Sequence, residues 1–295
     1  MKTKAIIDEN DNSHSRELKD KIFFGTVVVL ASITISPILL IVYKLLSKGL
    51  KQINFDFFLK VAPDTLQAMT AVRSGEILPG GIANGITGTL FMVSIASLMA
   101  IPVSIIIGIF LYENQGKKYA NIIRSLTDIL QGVPSVVLGL ISYIWIVKDI
   151  TKGFSALAGS VALAIMMLPL IIRSTEETMK MIPITIKEAG AALGVPYHKI
   201  ILKVMIPSGF SGIMTGIILS ISRVLGETAP LMLTTLGSTT INFNIMKPTS
   251  AVPLQIWEFY NNPNMIDLVW SSSLFLMGFV LTLNIIAKRI SMKFS

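Results

Sequence analysis

The sequence predicts an all-α, polytopic membrane protein with six transmembrane helices, and three observations support this fold class. Hydrophobic residues make up 52% of the 295-residue chain and charged residues only 14%, whereas a soluble domain carries about 25% charged residues. The mean hydropathy is +0.70. Uncharged runs of about 20 residues, the length that crosses a bilayer as a helix, recur along the chain. Six such spans and their connections would use nearly the whole length.

Each predicted span is a run of apolar residues with charged residues beyond its ends. The first, Ile22–Tyr43, lies between Lys21 and Lys44 and is longer than the apolar region of about 7–15 residues in a cleavable signal peptide. The fifth begins near Val204. The other four are Gly85–Leu111, Ile129–Val147, Gly153–Ile172 and Leu268–Ala287. Prolines inside three spans are tolerated in membrane helices and predict bends, at Pro102, Pro134 and Pro169.

The segments between the spans are more polar. Residues 1–21 carry mixed charge and predict a cytoplasmic tail, residues 44–81 predict a longer segment outside the membrane, and residues 173–203 predict a charged helical loop. Thr228–Met246 is uncharged but rich in Thr, Gly and Asn. We interpret it as an extension of span five followed by an outer loop, with a re-entrant segment as the alternative.

The distribution of basic residues predicts the orientation. With the N-terminus inside, the inner segments hold twice as many Lys and Arg residues as the outer ones, as the positive-inside rule requires. Lys44, Lys48 and Lys51 oppose this orientation, since they lie just outside span one. The total still places both termini in the cytoplasm.

Composition and missing motifs exclude several function classes. The chain has no cysteine, which excludes disulfides, iron–sulfur clusters and cysteine nucleophiles. The net charge of +8 is scattered between apolar runs, so it indicates membrane anchoring rather than nucleic-acid binding. No GxxxxGK[ST] phosphate loop, GxSxG or HExxH motif occurs. We therefore predict no catalytic residue, no metal and no cofactor in this chain.

Two pairs of glycines have the small-xxx-small spacing that permits close helix packing. They are Gly81 with Gly85 and Gly212 with Gly216. We interpret both pairs as packing features rather than chemistry.

The connection between spans four and five contains the strongest motif. Glu188, Ala189 and Gly190 are followed by Gly194, and nine residues later Val-Met-Ile leads to Pro207. Small residues give a helix a flat face that a partner can approach, Gly194 can end that helix, and Pro207 can open the next span at its first position. An ordinary connecting helix is the alternative. The run resembles the EAA signature of binding-protein-dependent ABC importer permeases, with three conservative departures at Gly190, Val204 and Ile206.

A second motif places charge inside the membrane. Arg223 follows Pro207 by sixteen residues, about 24 Å along a helix, and Glu227 would lie one turn further on the same face. A charge at that depth costs about 2.5–3.5 kcal/mol or more, so it should face protein or a water-filled path. The alternative is an Arg–Glu pair that only joins helices or reaches out of the membrane.

The run from Arg223 through Glu227 and Thr228 to Pro230 resembles the signature of PstA-type permease subunits of phosphate importers. Other similar stretches are Gly80–Leu90, Gly132–Leu140, Leu168–Arg173 and Thr175–Glu177, and the resemblance extends from about residue 80 to residue 290. It implies import of inorganic phosphate, with Arg223, Glu227 and Thr228 on the substrate pathway. Arginine suits this role because its planar fork binds two phosphate oxygens. Arg173 is a second pathway candidate, with an anchor at the inner membrane surface as the alternative.

The resemblance also implies an ABC importer permease fold of the MetI-like kind, with an added first helix and a five-helix core. Its domains would be a tail at 1–21, the first helix and an outer segment at 22–79, a permease domain at 80–290 with the coupling loop 173–203, and a tail at 291–295. The implied location is the plasma membrane of a bacterium.

The family implies partners as well. They are a second permease of PstC type in a heterodimer, an ATPase dimer of PstB type that binds the ATP, a phosphate-binding protein of PstS type, and membrane lipid. The EAA segment would dock on the ATPase through Glu188, Ala189, Gly190, Gly194 and Pro207. Two other functions stay open: a permease for another oxyanion such as sulfate or molybdate, and an intramembrane enzyme or signalling subunit.

Overall fold

The computed structural model describes the backbone of residues 3–293 and the side chains of residues 16–286, 288, 289 and 292. The described backbone contains no strand. The predictions for the tails 1–21 and 291–295 therefore lie partly outside the described residues. The α-helices are α1 Thr3–Gly49, α2 Phe55–Leu59, α3 Thr65–Ser74, α4 Ala83–Glu113, α5 Lys118–Gly132, α6 Ser135–Ser142, α7 Ala156–Met181, α8 Ile184–Ala192, α9 Tyr197–Ile200, α10 Ile206–Ser208, α11 Phe210–Val224, α12 Ala229–Thr234, α13 Val252–Tyr260 and α14 Ile266–Lys293. Shorter helical turns are Leu50–Gln52, Tyr143–Lys148, Ile201–Met205 and Pro263–Met265, of which the middle two are π-helical.

The all-α membrane fold is confirmed. Four helices are long and apolar enough to cross a membrane, and two bent helix pairs raise the number to as many as six in the described residues. Predicted spans one, two and six lie inside α1, α4 and α14, while span four lies mostly inside α7, which starts three residues later. Helices α4 and α7 continue through Pro102 and Pro169.

The third predicted span, Ile129–Val147, is broken into two helices at the bend predicted for Pro134. Helix α5 ends at Gly132, and the following helix from Ser135 to Lys148 is turned by 103° against it. Pro134 has no N–H to donate, and it forces the residue before it out of the helical region. Val133 accordingly has an extended backbone, with φ −67° and ψ 131°.

The core of the bundle forms where α7 packs against α4 and α11. Glycines allow the close approach: a Cβ at Gly108 of α4 would lie 2.6 Å from Thr175 Cβ of α7. Gly212 and Gly216 of α11 lie against Thr178 and Ser174 of α7, where a Cβ would overlap both side chains. The packing role predicted for this glycine pair is thus realised.

The connections are gathered at two ends of the bundle. The α8 end holds residues 114–117 and 182–209, and the opposite end holds residues 50–82, 149–155 and 235–265. Residues 50–82 were predicted only as a segment outside the membrane. They fold into the short helices α2 and α3, which bury Phe57 and Ala68 against Phe259 and Leu268.

Helix α1 stands apart from this core. Its last turns are joined to α14, where Ser271 Oγ donates to the carbonyl of Gly49 at 2.6 Å and Lys48 Nζ lies 5.1 Å from the Trp270 ring centroid. No side chain of its most apolar stretch is buried in this chain. Those exposed apolar side chains suit a lipid surrounding.

Candidate functional site

Helix α8 carries the residues of the EAA-like motif and ends as the sequence predicts. The backbone of Gly194 is left-handed with φ +72°. Its N–H donates to Ala191 O at 2.9 Å, and the next N–H, of Val195, donates to Gly190 O at 3.2 Å. These two bonds form a Schellman cap, which satisfies carbonyls at the end of a helix. Gly194 is therefore the stop of the motif helix.

The surface of α8 is open along its whole length. None of its residues is buried, and Glu188 and Ala189 are exposed. Leu193, just after the helix, exposes 82% of its surface. Helix α8 thus leaves its small residues and the neighbouring Leu193 accessible at the end of the bundle.

The departure from the motif at Gly190 has a packing reason. A Cβ at this position would lie 3.0 Å from Cδ1 and Cγ1 of Ile200, a side chain that is almost fully buried. That separation is tight for two carbon atoms, so glycine lets α9 fold back closely onto α8.

The prediction that Pro207 opens the membrane helix is wrong. The chain is helical from Tyr197 to Ser208, passes through a π-helical turn at Ile201–Met205, and bends by 70° before Phe210. The bend lies at Gly209, two residues after Pro207. Pro207 has no N–H to donate to the carbonyl of Lys203, which weakens the helix ahead of the bend, and Gly209 places little restriction on the backbone where the chain turns. Pro207 thus ends the connecting helix rather than starting the span.

Arg223 lies in the last turn of α11, thirteen residues after Phe210, or about 20 Å from the bend. It is exposed in this chain, and the described residues provide it with no ion pair. The adjacent Ser222 Oγ donates to Asn284 Oδ1 of α14 at 3.2 Å. A free guanidinium at this depth fits the expectation of a water-filled path or a partner protein.

Glu227 does not extend the helix of Arg223, as the sequence predicted. Helix α11 ends at Val224, and Glu227 N donates back to Val224 O at 3.2 Å in a turn. Gly226 follows the helix, and its flexibility favours a break there. Glu227 is partly exposed, and no Arg223–Glu227 ion pair occurs among the described residues.

Thr228 precedes helix α12, which continues span five rather than turning back. Near the start of α11, Gly212 lies against Thr178 of α7. Further along, Ser220 Oγ donates to Met167 O of α7 at 3.5 Å. After the break, Leu231 reaches Gly159 of α7, and Thr234 O accepts from Ser155 N at 3.0 Å. The contacts move steadily toward the start of α7, which supports an extension of span five over a re-entrant segment.

Arg173 belongs to a cluster of charges between α5 and α7. Its guanidinium donates to Asp128 of α5, with Nε 2.9 Å from Oδ1, and Nη1 lies 3.7 Å from Glu176 Oε2. Glu176 is fully buried and accepts from Arg124 Nη2 and from Lys180 Nζ, each at 2.7 Å. Arg173 is thus paired, which fits the anchor interpretation better than a free anion ligand.

Sequence reasoning missed three groups of interacting residues. The sequence analysis gave Glu176 no role, because it stands among the charged residues Arg173, Glu177 and Lys180 and no local signal marks it as the buried one. Asn84 and Gln255 form a buried pair, with Gln255 Nε2 donating to Asn84 Oδ1 at 2.7 Å. Lys187 lies inside the motif helix and binds Glu113, 74 residues away. No local signal marks that last pair.

The described residues form a bundle of membrane helices with the exposed helix α8 at one end, and at the end of α11 they give Arg223 no ion pair. This arrangement suits a membrane transport subunit. Residues 100–294 match the family model described as binding-protein-dependent transport system inner membrane component. The chain therefore belongs to this family of multi-pass membrane permeases.

Curated relatives align with nearly the whole chain. The phosphate transport system permease protein PstA of Pasteurella multocida is 32% identical over 95% of this chain and 96% of the relative. The protein of the same name from Xylella fastidiosa is 35% identical over 84% of each chain. The inward-facing MetNI methionine ABC transporter matches with a TM-score of 0.60 at 19% identity, covering 72% of this chain and 94% of that one. This last similarity confirms the predicted MetI-like fold.

Proposed function

We propose that the chain is the membrane permease subunit of an ATP-driven importer for inorganic phosphate and forms half of the translocation pathway. The observation that carries the proposal is the alignment of 84–95% of the chain with relatives named PstA, at 32–35% identity. The alignment includes the stretch from Arg223 to Pro230, the most distinctive charged motif of the chain.

The free guanidinium of Arg223 supports phosphate as the cargo. Its planar fork is always charged and can donate two parallel hydrogen bonds to phosphate oxygens. Because the chain leaves this group exposed at the end of α11, a second permease across the pathway would enclose it. Glu227 and Thr228 follow in the turn after α11. The negative carboxylate of Glu227 would repel the anion and so keep it from binding too tightly.

Other subunits supply the energy and the external recognition. The partners we propose are a related permease of PstC type, an ATPase dimer of PstB type and a binding protein of PstS type. Helix α8, through Glu188, Ala189, Gly190 and Gly194, would dock on the ATPase. ATP-driven closure of the ATPase would then move α8 and switch the pathway between its outward- and inward-open states.

The proposed docking fixes the orientation, because the ATPase is cytoplasmic. The α8 end of the bundle would face the cytoplasm of a bacterium, with both termini on that side. The excess of Lys and Arg in the segments of this end agrees with the positive-inside rule.

The test measures uptake of labelled phosphate by the reconstituted importer with Arg223→Ala and Arg223→Lys. Losing the fork should reduce kcat/KM by about tenfold or more, the value of a charge-assisted hydrogen bond, while the variants still insert and assemble. The control is Arg73→Ala, an exposed arginine on α3, a helix that packs on α13 and α14 rather than on α11. Normal uptake by both Arg223 variants would refute the anion path.

The same assay separates phosphate from other cargo. Unlabelled phosphate should compete with the labelled anion, whereas sulfate and molybdate should not. Preferential uptake of sulfate or molybdate by the wild-type importer would replace phosphate with another oxyanion and keep the permease function.

A further inference from the structure

The docking helix α8 is poorly attached to the rest of the molecule. It packs mainly on its own continuation, the turn Tyr197–Ile200 and the π-helical residues Ile201–Met205. A cavity of about 640 Å³ separates the start of α8 from the ends of α4 and α7. A motion imposed on α8 would thus reach the membrane helices through its packing on Ile200, which joins the core with Met179 and Ile213, or through a bridge across this cavity.

One ion pair forms such a bridge. Lys187, in the middle of α8, places its Nζ 3.0 Å from Oε2 and 3.2 Å from Oε1 of Glu113. Glu113 is the last residue of α4. Both side chains are largely shielded, with 29% and 19% of their surfaces exposed. The ammonium of Lys187 also lies 4.8 Å from the ring centroid of Tyr197 and 5.7 Å from that of Tyr112.

Helix α4 leads from this bridge to the opposite end of the bundle. Its 31 residues form a rod about 45 Å long. At the far end, Asn84 Nδ2 donates to Ser238 O at 2.6 Å, and Thr89 Oγ1 accepts from Val252 N at 2.9 Å. Both partners belong to the region that follows α12. A push on Glu113 is thus carried to the loop that follows the proposed substrate path.

We propose that Lys187 and Glu113 are positioning residues that transmit the motion of α8 to α4 and so couple ATP hydrolysis to transport. The inference deepens the proposed function and rests on it. An ion pair can link α8 to α4 although the two helices are otherwise separated by the cavity. The two aromatic rings hold the ammonium in place by cation–π attraction.

The experiment is a double-mutant cycle in the reconstituted importer, with phosphate uptake and ATP hydrolysis measured in the same vesicles. The single variants are Lys187→Met, which keeps the aliphatic stem, and Glu113→Gln, which keeps the shape. Each should reduce the phosphate transported per ATP hydrolysed by about threefold to tenfold, which lies in the lower part of the range of coupling between contacting residues. The ATPase should remain bound and active.

Two further variants separate transmission from general stability. The double variant should transport no less phosphate per ATP than the more impaired single variant, because both substitutions remove the same ion pair. Lys187→Arg, which keeps the charge and the ring contacts, should stay near the wild-type ratio. As a matched control, Asp56→Asn removes the exposed ion pair of Asp56 with Lys60 at the opposite end and should leave the ratio unchanged.

Several results would overturn the inference. One is an unchanged ratio of phosphate to ATP in both single variants. Another is a double variant whose loss of that ratio equals the product of the two single losses. A third is loss of the bound ATPase from Lys187→Met alone, which would make Lys187 a direct docking contact. If the wild-type importer carries sulfate or molybdate instead, the phosphate proposal fails but the ratio is measured with that anion. A wild-type importer that moves no oxyanion refutes both.

Discussion

Glu176 of α7 is the most enclosed charge described in the molecule, and its neutralisation offers a direct measure of how α5 is held to α7. Its carboxylate is completely buried. It accepts from Arg124 at 2.7 Å and 3.1 Å and from Lys180 at 2.7 Å. Glu176→Gln keeps the shape of the side chain and removes its charge.

The expected loss follows from these contacts. Hydrogen bonds to a charged group contribute about 1.5–3 kcal/mol and neutral ones about 0.5–1.5 kcal/mol. Breaking a fully buried ion pair costs about 3–5 kcal/mol, but Arg124 and Lys180 expose 22% and 40% of their side chains and can recover some hydration. We expect Glu176→Gln to reduce the free energy of unfolding by about 2 kcal/mol, between these limits.

The assay is denaturant unfolding of the purified chain in detergent, followed by the fluorescence of its three tryptophans. The control is Glu177→Gln, the exposed neighbour on the same helix, which should change stability by no more than about 0.5 kcal/mol. Equal stability of the two variants would refute the view that the Glu176 cluster fastens α5 to α7.

Two other predictions concern glycines. Gly216→Ala should destabilise the chain by about 1–3 kcal/mol through overpacking against Ser174, whereas Gly278→Ala, which meets no neighbour, should not. The same unfolding assay decides this, and equal stability would contradict the close α7–α11 packing. Gly194→Ala forces alanine into a left-handed conformation at a cost of about 1–2 kcal/mol and should weaken co-purification of the ATPase. Gly75→Ala carries the same strain at the opposite end and should leave co-purification intact, so equal binding by both variants would argue against α8 as the docking element.

Local patterns predicted the elements that depend on a continuous stretch of chain. Apolar runs located the cores of α1, α4, α7 and α14, because any helix that crosses lipid must be apolar along its length. Gly194 was identified as a helix end because a left-handed residue after a helix is usually glycine. The small-residue spacing of Gly212 and Gly216 predicted close packing for a similar reason.

Hydropathy does not show where a helix breaks or how far the chain turns there. Of the three bends predicted from prolines, the one at Pro134 divides a span, whereas α4 and α7 continue through Pro102 and Pro169. The run Ile129–Val147 is apolar throughout, yet Pro134 divides it and the chain turns by 103°. The same limit hid the end of α11 at Val224, which separated Glu227 from the helix face of Arg223. In both places a proline or glycine was present in the sequence, but its effect depended on the packing around it.

The sequence by itself determined that this chain is a membrane permease and that the helix of its EAA-like motif ends at Gly194, because hydropathy, helix caps and motif spacing are properties of neighbouring residues. Only the tertiary structure decided which charges are paired. Arg173 meets Asp128, Glu176 meets Arg124, and Lys187 meets Glu113 across 45, 52 and 74 residues. Residues so far apart in the sequence become neighbours only because the helices pack together, and a local sequence pattern does not show which helices pack.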